Sequence, residues 1–145
     1  MAVNNKPIFT GTPDIQWISG ISAAGAADLT SGTSYLVFTS DATNGGYVQK
    51  IRFKATPGTN IGAAAACRVW INNGSTTATV ANSILFDEIT LPTVTASSTA
   101  AVNTYELPLN FALPAGYRIY VSLGQATSTG SWNATVVGGS YVAQT

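Results

Sequence analysis

Lys50-Ile51-Arg52-Phe53-Lys54-Ala55 alternates a cation with an apolar residue through six positions. Successive side chains of a strand point to opposite faces. Ile51, Phe53 and Ala55 therefore turn inward, and Lys50, Arg52 and Lys54 turn out. The same pattern recurs downstream. In Tyr105-Glu106-Leu107-Pro108-Leu109-Asn110-Phe111 the odd-numbered residues share a face, and Pro108, which has no N–H to donate, is expected on an edge strand or at a bulge. In Tyr117-Arg118-Ile119-Tyr120-Val121-Ser122-Leu123 the odd-numbered residues are again the inward set. One apolar and one mixed face per strand is the pattern of two antiparallel sheets packed on each other.

Outward from these stretches, segments rich in Val, Ile, Thr and aromatics recur between clusters of Gly, Asn, Pro and Ser. They predict strands near Ile15–Ile21, Tyr35–Thr39, Tyr47–Ala55, Cys67–Asn72, Ile84–Leu91, Asn103–Phe111, Tyr117–Leu123 and Trp132–Val137. Asn44-Gly45-Gly46, Asn72-Asn73-Gly74-Ser75 and Pro114-Ala115-Gly116 read as turns. The only helix candidates, Ala23–Ala27 and Ala63–Ala66, contain Gly25 or are too short. The fold class is all-β: an antiparallel β-sandwich of about eight strands, with a jelly roll as the leading topology. An immunoglobulin-like sandwich is the alternative, which the absent Cys pair weakens only slightly. Residues 1–14, with Pro7, Gly11 and Pro13, read as an extended N-terminal arm, and residues 15–145 as a single domain. Thr56–Ala66 reads as a long exposed loop.

Charge is scarce. Only 8% of the 145 residues are charged, where about 25% is usual, and six basic residues balance six acidic ones. Phosphate binding depends on clustered Lys and Arg, so nucleic acid is not an expected partner; the same balance argues against a membrane surface. Near-zero net charge favours association, and the chain is expected to work in an assembly. No apolar run approaches the length of a spanning helix. The polar opening Met1-Ala2-Val3-Asn4-Asn5-Lys6 has no signal-peptide core, so synthesis in a cytoplasm is expected and the sequons at Asn73 and Asn133 are read as accidental.

The sequence offers little chemistry. It contains no His, which removes the commonest general base, metal ligand and nucleophile activator. Cys67, the single cysteine, can form no intrachain disulfide and reads as a buried strand residue; Arg68 beside it points to the other face. Asp87-Glu88, the only adjacent acidic pair, splits across a strand and cannot flank a glycosidic bond. Asp41-Ala42-Thr43-Asn44-Gly45 is too sparse for a calcium loop. An enzyme is not expected, and neither a cofactor nor a metal is implied.

The aromatic residues are the remaining lead. Trp70 and Tyr120 fall on faces opposite the main apolar set of their strands, which makes them candidate interface residues. For Trp70, a second buried face and stacking on a sugar are the other readings. The stripe Lys50, Arg52, Lys54 resembles an anion site, but reads better as protection of an edge strand against wrong pairing.

Several stretches together resemble a family of small tailed-bacteriophage virion proteins. They are Lys6-Pro7-Ile8-Phe9, Ile71-Asn72-Asn73-Gly74-Ser75, Leu107-Pro108-Leu109-Asn110, Leu113-Pro114-Ala115-Gly116-Tyr117, and Val137-Gly138-Gly139 with Tyr141. The resemblance runs in order over nearly the whole chain. The chain departs from it in the Ala-rich loop Thr56–Ala66 and at Trp70, where a smaller aromatic is usual. The resemblance implies a non-enzymatic structural β-sandwich, most often a capsid decoration (cement) protein on the outer shell. The implied partners are the major capsid protein and further copies of the chain, as a homotrimer, and the implied location is the virion. Ile8 and Phe9 of the arm are candidate contacts to a neighbour. The alternative is a tail or fibre component, or a lectin-like module binding host-surface glycans.

Overall fold

The computed structural model describes residues 11–142. Among them lie eight strands and no helix: β1 (Thr12–Ile21), β2 (Tyr35–Thr39), β3 (Gly46–Ala55), β4 (Ala65–Asn72), β5 (Ser83–Leu91), β6 (Thr104–Leu113), β7 (Arg118–Leu123) and β8 (Trp132–Ser140). Each coincides with an expected strand. β1 starts three residues earlier than expected, pairing Thr12, Pro13 and Asp14 with Ser140, Gly139 and Gly138. Ile8 and Phe9 lie outside the described residues.

The strands form two antiparallel four-stranded sheets, ordered β1-β8-β3-β6 and β2-β7-β4-β5. β1 pairs with β8, β2 with β7, β3 with β6 and β4 with β5. That is the pairing of one long hairpin folded at the β4–β5 connection. Rolling the hairpin adds the β3–β8 and β4–β7 pairs and makes the jelly roll of two facing sheets. Pro108 meets both of its conditions, on the edge strand β6 and opposite Lys50 beside a register shift. β8 crosses β3 very closely at Gly138, where a Cβ would collide with the Tyr47 carbonyl.

Between the sheets lie Val48, Ile51 and Phe53 from β3, Trp132, Ala134 and Val136 from β8, Cys67 and Val69 from β4, and Ile119, Val121 and Leu123 from β7, all fully buried. Burying one such aliphatic side chain stabilises the fold by roughly 1.5–3 kcal/mol. Tyr105 packs edge-on against Trp132 at 5.7 Å. The loop after β3 differs from expectation. Ile61 is buried in the core and its N–H and C=O bond those of Val94, so the Thr56–Ala66 stretch is anchored rather than wholly exposed. Those two backbone bonds, and the Ala96 N–H donated to Asn60 Oδ1 at 2.8 Å, tie it to the loop after β5.

The two open sides of the sandwich are finished differently. On the β1–β2 side, the Gln16 Nε2 donates to the Thr39 carbonyl and the Thr39 N–H donates to Gln16 Oε1, both at 2.8 Å. A side-chain amide thus pairs with the free edge of β2. On the β5–β6 side, Phe86 meets Phe111 at 4.8 Å between ring centroids, and large apolar side chains there stay exposed.

Candidate interaction surfaces

The outer face of β2-β7-β4-β5 is covered by the chain itself around Trp70 and Tyr120, on β4 and β7, while Leu36 on β2 and Leu85 on β5 stay exposed. Asn72, fully buried at the end of β4, donates to the Thr77 carbonyl, Asn82 Oδ1 and Ser83 Oγ, and its own Oδ1 accepts the Gly74 N–H. One amide thereby folds residues 73–82 back toward the sheet. The Tyr120 hydroxyl donates to the Thr76 carbonyl at 3.0 Å, and Trp70 Nε1 donates to Ser122 Oγ at 3.0 Å. The loop 22–34 reaches the same sheet, its Gly25 N–H donating to Leu123. Trp70 and Tyr120 are each only 5% exposed. Both do lie on the face opposite the main core, but the chain's own packing and hydrogen bonds take up their rings and polar tips. As surfaces for a partner they are therefore corrected: Trp70 is a second-face core residue.

The outer face of β1-β8-β3-β6 is bare. Cross-strand register places Trp17, Thr135, Arg52 and Glu106 in one row and Ile15, Val137, Lys50 and Pro108 in the next. Trp17 is 70% exposed and Ile15 54%. The cation stripe sits on β3, an interior strand, so the reading as edge protection is overturned: both hydrogen-bonding sides of β3 are already occupied. Lys50 and Arg52 share Glu106 at 3.0 and 3.9 Å, and Lys54 donates to the Val102 carbonyl. Three cations facing one carboxylate leave this face positive.

The third surface is β5, the terminal strand of its sheet. Ile84, Leu85 and Phe86 are all exposed, Ile84 at 67%, with Val80 exposed just before them. A register shift opposite Val69 and Trp70 leaves Phe86 unpaired in the ladder and lets it turn toward Phe111. Beside Ile84 lies a shallow depression of about 260 Å³ lined by Ile71, Ala81 and Tyr117 among others. Asp87 and Glu88 follow directly. Glu88 accepts from Arg68 Nε at 2.9 Å, whereas Asp87 Oδ1 accepts the neighbouring Glu88 N–H. The two acids pair with Val69 and Arg68, residues of opposite faces, and Glu106 lies in the other sheet.

The other groups with chemical potential are used structurally. The Asp41 carboxylate accepts the Thr43 and Asn44 N–H groups, and these bonds hold its pKa below the ordinary 3.8. The fully buried Cys67 thiol is pushed up to about 12 by burial, Arg68 acting weakly the other way. Among the described residues, no three His, Cys, Asp or Glu side chains group as metal ligands. The sequence does not mark the exposed β5 run, because three consecutive large apolar residues read equally well as a strand buried on both faces. The sequence places Trp17 only within the expected strand Ile15–Ile21. Its alternation with Ile15 gives a face, but whether other segments cover that face depends on packing.

No known family profile matches the chain, and no curated protein matches it. Among solved structures the chain is similar to one described as the structure of infectious bursal disease virus Gt strain. The TM-score is 0.34 and the identity 12%, over 96% of this chain and 36% of the other. A VP2 subviral particle of infectious bursal disease virus gives a TM-score of 0.33 at 12% identity, over 96% of this chain and 37% of the other. T=1 particles derived from infectious bursal virus give 0.29 at 16%, over 96% and 36%. The chain thus spans little more than a third of the length of the structures it matches.

Proposed function

We propose that the protein is a non-enzymatic structural component of a tailed-bacteriophage virion. In this reading it is made in the host cytoplasm and binds the outer capsid surface as a homotrimeric decoration protein that stiffens the shell. The observation that carries the reading is the unequal finish of the sandwich: one sheet has its two middle strands covered around Trp70 and Tyr120, while the other presents a bare face with Trp17 and Ile15, and β5 presents an apolar edge. Exposed apolar patches on a small domain mark contact surfaces, and a chain of zero net charge meets little repulsion when many copies crowd on one shell. The partners in this reading are the major capsid protein and further copies of the chain, with Ile8 and Phe9 adding apolar contact to a neighbour.

The test is the copy number per purified particle, measured by mass spectrometry against the major capsid protein. A number comparable to that of the shell protein is expected; one far below it moves the protein to the tail or a fibre, and absence from particles overturns the reading. Deleting residues 1–10 should weaken cosedimentation with undecorated shells, and unchanged binding would remove Ile8 and Phe9 from the contact. Glycan binding through Trp70 loses its basis, because that ring is enclosed.

A further inference from the structure

We infer that copies of this chain associate head to tail, the β5 edge of one copy lying across the bare outer face of β1-β8-β3 of the next. The inference deepens the self-association proposed above and rests on that part of it. Both surfaces combine an apolar part with a charged part, and the signs are opposite. On the face, Ile15 and Trp17 sit on β1 and the cations on β3, with β8 between. Two inter-strand spacings separate them, about 10 Å. On the edge, Leu85 and Glu88 are three residues apart on one strand, again about 10 Å. A β5 strand crossing the face from β1 toward β3 therefore sets Leu85 on Ile15 and Trp17 and Glu88 on Lys50 and Arg52, because Leu85 and Glu88, opposite Trp70 and Arg68, share one face of β5.

The charges favour this occupant over an edge-to-edge pair. Two β5 strands side by side bring two Asp87-Glu88 pairs into one interface, whereas the β3 face supplies three cations for a single carboxylate. The two patches are also different surfaces, so the contact is heterologous, the kind from which a closed ring such as a trimer is built.

The test is sedimentation equilibrium of the full chain and of exposed-residue variants, with circular dichroism as the check on folding. Leu85→Lys and Trp17→Ala should each shift the protein toward monomer. Glu88→Arg and Arg52→Glu should each weaken association by about tenfold, with the deficit shrinking in high salt. The double variant Glu88→Arg/Arg52→Glu should recover most of it. Failure of the double variant to recover, or an intact oligomer in Leu85→Lys, overturns the inference. Dissociation by β5 variants with no effect of Trp17→Ala or Arg52→Glu overturns it in favour of edge-to-edge pairing. A wild-type protein that stays monomeric as concentration rises also overturns it, and if that protein is abundant on particles the virion reading survives alone.

Discussion

Trp70 and Trp17 are the same residue type on the outer faces of the two sheets, and their surroundings set opposite expectations. Trp70 is enclosed and hydrogen-bonded to Ser122, so Trp70→Ala leaves a cavity and an orphaned hydroxyl, at a cost of about 3–5 kcal/mol. Trp17→Ala removes a ring that is mostly in solvent and should change stability by no more than about 0.5 kcal/mol. Urea unfolding midpoints of the two variants check both. Cys67 offers a chemical test at the same scale. Folding favours its protonated form, so its contribution to stability is complete below the ordinary thiol value of 9.0 and is lost as pH rises toward about 12. The native protein should resist a thiol reagent at neutral pH and react fully once denatured.

Gln16 acts at the scale of the element, since its amide does for the edge of β2 what a neighbouring strand would do. Gln16→Ala unpairs both the Thr39 N–H and the Thr39 C=O and should cost about 1–2 kcal/mol. Hydrogen exchange should show its largest rise in β2. The turn after β2 is tied similarly: the Asp41 carbonyl accepts Gly45 and Gly116 N–H groups while its carboxylate accepts Thr43 and Asn44. Because those bonds lower the carboxyl's pKa, its stabilising effect is present above pH 3.8 and lost as pH falls through the lowered value. Asp41→Ala should lower the melting temperature at neutral pH, by an amount that shrinks in acid. All eight strands were legible because each alternates or is bounded by turn residues, and the inward faces followed from Ile51, Phe53 and Ile119. Place in the sheet was not legible. The Lys50–Lys54 stripe looks like an edge and lies inside a sheet, while Ile84-Leu85-Phe86 looks buried and forms an edge. Local pattern fixes which way a side chain points; long-range pairing fixes what meets it there.

Over the whole molecule, the covered face and the bare face divide the surface into a side that the chain satisfies and a side that it does not. The candidate surfaces are less legible than the strands. Low charge and spare aromatics lead to an expectation of association, but they do not tell Trp17 from Trp70 and Tyr120, which are enclosed where residues 73–82 fold back over the sheet. The poles differ as well. The Gly11 N–H donates to the Ser140 carbonyl at 3.0 Å, and a Cβ at Gly11 would press on the Val142 side chain, so the two described ends lie side by side. The loop 92–103 lies at the opposite pole, with Ser97, Ser98 and Thr99 exposed. The chain therefore tolerates rewiring: with Val142 linked to Gly11 by a short Gly-Ser bridge and the backbone opened between Ser98 and Thr99, the circular permutant should keep the same sheet order and melt cooperatively. A domain fused directly at Gly11 or Val142 should leave from one pole, and a peptide grafted at Ser98 should be displayed from the other.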